Sequence, residues 1–204
     1  MGMRAWIYDR ALLPLTRGWY REVLLRMEPG SRLLDVGIGT GGALADNADL
    51  VRRRNLYVTG VDIDADYVKQ ARRHMERRGL AERVHICLQS IYEYGVTGFD
   101  AVYFSASFML MPDPAEALRH VTDLLAPGGR VFFTQTFHER ESKFAEALKP
   151  MLRSLTTVDF GQVTYEEDFL EVLDEVGLHV VENEVLGERP NMSFRLVVAS
   201  PMAA

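Results

Sequence analysis

The segment from Leu33 to Gly42, Leu-Leu-Asp-Val-Gly-Ile-Gly-Thr-Gly-Gly, leaves the chain few choices. An apolar run ends in an acid, breaks into a glycine-rich turn, and is followed by the helix formers Ala43, Leu44 and Ala45. This pattern predicts a strand, a tight turn and a helix start. Glycine suits such a turn because, lacking Cβ, it accepts positive φ and lets backbone N–H groups approach a ligand at a helix N-terminus. Gly37, Gly39 and Gly42 also satisfy the G-x-G-x-x-G spacing of a dinucleotide loop. Asp35 weighs against that reading: a carboxylate there repels a pyrophosphate and attracts a ligand carrying an ammonium group.

Asp35-Val-Gly37-Ile-Gly39-Thr-Gly41 resembles the first motif of class I S-adenosylmethionine-dependent methyltransferases. The turn Leu125-Ala126-Pro127-Gly128-Gly129, entering a later strand, resembles a second signature of that family. The two lie in the family's order with strands and helices alternating between them, and the resemblance extends over about residues 30–200. It is closest to the small-molecule and ubiquinone-biosynthesis type. The resemblance implies an α/β fold: a Rossmann-like, doubly wound, seven-stranded sheet, mostly parallel, with a C-terminal antiparallel hairpin. It also implies S-adenosyl-L-methionine as cofactor and a cofactor site at Asp35, Gly37, Gly39 and Gly41.

The remaining cofactor candidates follow along the chain. Leu56–Ile63 predicts a second strand, and Asp62 at its end lies 21 residues beyond Gly41, where an acid commonly grips a ribose diol. Asp64 is the expected cap of the next helix, which should stop at Gly79. A third strand over Arg83–Ser90 ends in Ser90, where the family commonly has an Asp that takes the adenine amino group. In the family's arrangement Ile91 would present its amide to the ring and Ile63 would pack on a ring face. Phe99–Ser105 predicts a fourth strand, whose tip, at Ser105, faces the transferred methyl in the family. The apolar run Phe108-Met109-Leu110-Met111 beyond it reads as a pocket wall or as ordinary core.

Other regions bear on the acceptor. Residues 1–29 are assigned to an N-terminal helical segment and 30–204 to the methyltransferase domain. Pro14 and Gly18 predict two short helices in the first part, which carries both tryptophans and an excess of arginine over acids. Three readings stand: a helix covering the core, a lid over the acceptor cleft, or a basic aromatic helix on an anionic membrane. Tyr8 and Tyr20 are its substrate candidates. His138, just past the fifth strand, is the general-base candidate; a helix is expected to follow, through about Leu155. Thr164-Tyr165-Glu166-Glu167 has a capping-box pattern, and strands over Val180–Val185 and Phe194–Ala199 close the sheet.

Composition excludes other classes. A net charge of −6 and a pI near 5.4 argue against a nucleic-acid-binding surface. One cysteine, Cys87, allows no intramolecular disulfide, no histidines have metal-ligand spacing, and no apolar run is long enough to span a bilayer. A cytoplasmic enzyme with a small-molecule substrate and no metal is expected. The expected reaction is in-line methyl transfer to an oxygen, nitrogen or sulfur atom of a partly apolar acceptor. The alternatives are a phospholipid-headgroup methyltransferase, an enzyme of the same fold transferring another group, and a catalytically silent cofactor-binding subunit.

Overall fold

The computed structural model describes residues 3–138 and 164–202, with side chains from residue 15 onward. A helix, α1 (Met3–Arg26), leads into alternating strands and helices: β1 (Arg32–Val36), α2 (Gly42–Asp46), α3 (Ala48–Arg53), β2 (Tyr57–Asp62), α4 (Ala65–Arg77), β3 (Val84–Leu88), β4 (Phe99–Ser105) and α5 (Pro114–Leu124). Then come β5 (Leu125–His138), α6 (Glu166–Glu175), β6 (Leu178–Arg189) and β7 (Met192–Pro201). The strands form one sheet in the order β3-β2-β1-β4-β5-β7-β6, with β1 to β5 parallel and β7 antiparallel to both neighbours. This is the doubly wound, mostly parallel sheet with a C-terminal hairpin that the sequence implies.

The strands are apolar on both faces because helices cover both. Leu33, Val58, Tyr103 and Leu196 face α1 to α4, while Leu34, Phe104, Phe133 and Val197 face α5 and α6. Chain order reverses between β1 and β4, which opens a crevice at the carboxyl ends of these two strands. The glycine-rich turn sits there.

Several elements depart from their predicted bounds. Residues 3–26 form one helix, not two. Pro14 and Gly18 weaken a helix locally, but Trp19, Tyr20, Val23, Leu24 and Met27 are buried against the sheet, and that burial outweighs the propensity cost. Arg26 then ties the helix end to β6, with Glu182 at 2.8 Å and Glu184 beside it. The helix expected over Gly42–Arg53 is broken at Asn47, whose side-chain amide donates to the carbonyls of Ala43 and Arg17.

β5 begins at Leu125 rather than Arg130, because Leu125 pairs with Phe99 before Ala126–Gly129 bulge out and pairing resumes at Ala101–Arg130. The hairpin strands are longer than expected and meet at Pro190-Asn191, with Asn191 at φ 64°. Thr164 does not cap α6; Tyr165 holds the N-cap position and makes no side-chain capping bond to the helix. Asp64 does cap α4, accepting from the amides of Asp66 and Tyr67. The helix expected up to Leu155 lies outside the described residues.

One core group stands out. Gln135 on β5 is buried with neither amide atom hydrogen-bonded among the described residues. It lies between Phe133 and Phe137, whose rings both pack on Phe169, 5.1 and 5.2 Å away. A buried amide without partners costs about 1–3 kcal/mol. Gln135→Met, similar in volume and apolar, is therefore expected to raise the thermal midpoint by several degrees in a calorimetric scan. An unchanged or lowered midpoint would show that the amide is satisfied.

Candidate functional site

The site is built from the tip of β1 outward. Gly37, Gly39 and Gly41 have φ of 74°, 58° and 66°, so the turn uses the left-handed region that glycine enters without strain. Space makes the same demand at two of them. A Cβ on Gly37 would lie 2.7 Å from Cβ of Ser107, and one on Gly41 would lie 3.1 Å from Cβ of Ala71 on α4. The Ser107 hydroxyl donates to the carbonyl of Val36, and His74 on α4 meets the carbonyl of Thr40 at 3.0 Å. The amides of Gly37 and Ile38 both donate to the carbonyl of Val61. The turn is thus anchored to α4, β2 and the segment after β4.

Two carboxylates flank this turn in different environments. Asp35 has no exposed surface. One oxygen accepts from the Tyr20 hydroxyl at 2.7 Å, and the other has no partner among the described residues. Burial pushes this carboxyl up to about 7; the Tyr20 hydrogen bond pulls it down and the neighbouring Asp62 pushes it up further. Asp62, at the tip of β2, accepts from the Gly39 amide at 2.8 Å on one oxygen and from the Asp64 amide at 2.9 Å on the other. Burial raises Asp62 also, against those amide bonds. Each of its oxygens keeps a second lone pair, so the carboxylate is fixed yet still able to accept from a diol.

Around these acids the sequence candidates fall into two groups. The Gln89 amide donates to the carbonyl of Asp62, which brings Ser90 and Ile91 beside the tip of β2. Ile63 is 77% exposed and Leu88 is 53% exposed, an apolar pair at this rim suited to the faces of a flat ring. Ser105 ends β4 next to the glycine turn, buried, with its hydroxyl unpartnered among the described residues. Asp35, Gly37, Gly39, Gly41, Asp62, Ile63, Ser90, Ile91 and Ser105 are therefore brought to one crevice.

His138 is not brought there. It lies four residues beyond Thr134, the β5 partner of Ser105, or about 13 Å further along the strand. It lines an open cavity of about 360 Å3 with Tyr165, Glu166, Arg195 and others, none of them from the glycine turn. The side chain of Tyr8 lies outside the described residues. Tyr20, expected beside an acceptor, is instead buried against the cofactor loop with its hydroxyl on Asp35. Sequence reasoning missed this bond, the Ser107 and His74 anchors, and Gln135. Tyr20 and Asp35 are separated by 15 residues and His74 and Thr40 by 34, and no local pattern signals either contact.

A reversed final strand and a glycine cradle at the topological switch point define a fold that binds a nucleotide-like cofactor across its strand tips. Residues 27–177 match a family model described as a methyltransferase domain. A ubiquinone biosynthesis O-methyltransferase of Xanthomonas axonopodis pv. citri is 35% identical over 130 residues, 62% of this chain and 52% of that protein. The chain spans between about half and two thirds of the length of the first curated relatives it matches.

Two solved structures share the fold. The [4+2]-cyclase SpnF has a TM-score of 0.74 at 19% identity, covering 97% of this chain and 84% of that one. A geranyl diphosphate C-methyltransferase from Streptomyces coelicolor A3(2), in complex with Mg2+, geranyl diphosphate and S-adenosyl-L-homocysteine, has a TM-score of 0.72 at 15% identity, covering 95% and 80%. The chain belongs to the class I S-adenosylmethionine-dependent methyltransferases.

The cofactor of this family fits the crevice on three observations. The unpartnered, buried oxygen of Asp35 has room in its hydrogen bonding for one cationic donor. At Gly39, φ 58°, a Cβ would meet no protein atom within 4 Å, so the turn is open to a ligand there. The Asp62 carboxylate is held in place by two backbone amides. Among the described residues no group of histidine, cysteine and acidic side chains could hold a metal ion. None of their helices is long and apolar enough to cross a membrane.

Two outcomes follow. Asp62→Ala should weaken S-adenosylhomocysteine binding by about 1.5–3 kcal/mol, about 10- to 150-fold by calorimetry. An unchanged dissociation constant would remove Asp62 from the site. Asp35, with its pKa raised on folding, holds more protons in the native than in the unfolded chain between about pH 4 and 7. Its contribution to the stability of the cofactor-free protein is therefore full below that window and falls as pH rises through it. Denaturant titrations should show this slope in the native chain and a flatter one in Asp35→Asn; identical slopes would contradict the assignment.

Proposed function

We propose that this protein transfers the methyl group of S-adenosylmethionine to an oxygen of a small, partly apolar acceptor. The observation that carries this reading is the pair Asp35 and Asp62, on adjacent strands on either side of a glycine turn locked by its neighbours. When bound, the cofactor supplies an electrophilic methyl on a sulfonium, which an acceptor lone pair takes by in-line displacement. The chain's residues then have positioning tasks. Asp35 and Ser105 would take the ammonium end, the amides of the glycine turn would line the amino-acid half, and Asp62 would accept from the ribose hydroxyls. Ser90 and Ile91 would meet the edge of the adenine, with Ile63 on its face.

Alignment of this kind accounts for about 7–11 kcal/mol of a barrier and needs no acid–base pair when the nucleophile is already reactive. Among the described residues the Ser105 hydroxyl has no hydrogen-bond partner, which agrees with that. Oxygen as the acceptor atom is supported by the O-methyltransferase activity named for the relative from Xanthomonas. Apolar character is supported by Leu110, which lies just beyond the β4 tip and is 52% exposed, whereas Phe108 belongs to the core, packed on Phe104, Phe133 and Phe169.

Turnover of methyl-labelled cofactor against phenols, amines, thiols and phospholipid vesicles tests the reading. Label should pass to a phenolic or other hydroxyl oxygen. Transfer only to nitrogen, sulfur or vesicle lipid would contradict it, as would cofactor binding without transfer to any member of the panel. His138→Ala should keep turnover within about tenfold of the native rate, since general bases contribute about a hundredfold or more. A hundredfold loss would make His138 the base.

A further inference from the structure

Asp35 is an unusual group to leave in a protein interior. It has no exposed surface, no salt-bridge partner among the described residues, and a single neutral donor, Tyr20. An ionised carboxylate so placed is strongly disfavoured until a second, charged donor reaches its free oxygen. The donor already present comes from outside the sheet. Tyr20 lies on α1, packs edge-on against Tyr103 of β4 at 5.0 Å, and is flanked by Trp19, which rests on Phe194 of β7. Tyr103 in turn bonds Thr134 of β5 at 2.7 Å. One hydroxyl on the N-terminal helix therefore holds the carboxyl group that the cofactor must engage.

We propose that Tyr20 is a positioning residue of the cofactor site, so that seating of α1 and capture of the cofactor's ammonium group support one another through the two oxygens of Asp35. The Tyr20 hydroxyl fixes one oxygen and leaves the other to accept from the incoming ammonium. In the cofactor-free protein, with Asp35 raised to about 7, the carboxyl group carries a proton below neutral pH. When the ammonium arrives that proton leaves to solvent, and a paired anion replaces a neutral acid. The titratable groups acting on Asp35 are Tyr20 from α1 and Asp62 from β2, with Tyr103 of β4 beyond the Tyr20 ring. Burial and Asp62 hold the proton on; Tyr20 favours its loss. Linkage requires reciprocity: whatever seats the helix tightens the cofactor, and the cofactor seats the helix by the same factor.

The inference concerns the cofactor and is independent of the acceptor. Calorimetric titration of the full chain with S-adenosylhomocysteine, in buffers of different ionisation enthalpy, counts the protons. Close to one proton should be released at pH 6 and little at pH 8, with affinity about tenfold weaker at pH 6. Hydrogen exchange of the amides from Trp19 to Arg26 should slow on binding. Tyr20→Phe, which keeps the ring, should move the proton release to higher pH, weaken binding at pH 7, and remove the added protection of α1. Asp35→Asn, which keeps the shape, should release no proton at either pH.

Equal affinity and no proton release at pH 6 and 8 would overturn the proposal. So would a proton still released by Asp35→Asn, or a Tyr20→Phe variant with the native pH profile and native protection of α1. Failure of the ligand to bind at any pH would overturn the cofactor site as well.

Discussion

The organisation of this protein rests on a carboxyl group placed where water cannot reach it. Asp35 stands one residue before the end of the central strand β1, paired on both sides by β2 and β4, and is roofed by α1. Nothing about packing alone requires an acid there; a leucine would cost less. The energetic penalty makes sense as an unfilled interaction, a site that is poor until a cation occupies it. Affinity and specificity for an ammonium-bearing ligand then come from the same feature that makes the empty site unfavourable.

The neighbouring turn is shaped by exclusion. Ser107 occupies the volume where a side chain at Gly37 would lie, and Ala71 crowds the one at Gly41. Asp62 then bonds the Gly39 amide, so the acid expected to hold the ribose also fixes the loop. The two ends of the cofactor crevice are in this way mechanically joined, and the Coulombic effect of Asp62 on Asp35 joins them electrostatically. Preorganisation of this kind is what an alignment-driven methyl transfer requires.

The fold was legible because its signals are local. The run Leu33-Leu34-Asp35-Val36 alternates between two buried faces, and the glycine turn after it has one sensible geometry. Asp62 and Ser105 were readable for the same reason, each standing at the end of an apolar strand. What the sequence hid is tertiary. Pro14 and Gly18 speak for a break in α1, yet the burial of Trp19, Tyr20 and Leu24 outweighs them. Tyr20 looked like a group facing an acceptor because its distance from Asp35 along the chain conceals their bond. The placement of His138 depended on how far β5 runs past the sheet, and that length is set by pairing with β7. Gln135 lies in an apolar strand like an ordinary tolerated polar residue, and only the fold shows it buried with no partner among the described residues.

A crystal structure of the full chain with S-adenosylhomocysteine tests the central claim most directly. The account predicts the ligand's amino nitrogen within hydrogen-bonding distance of the second Asp35 oxygen, with both ribose hydroxyls on Asp62. An amino group held elsewhere, with Asp35 still lacking a second donor, would contradict it.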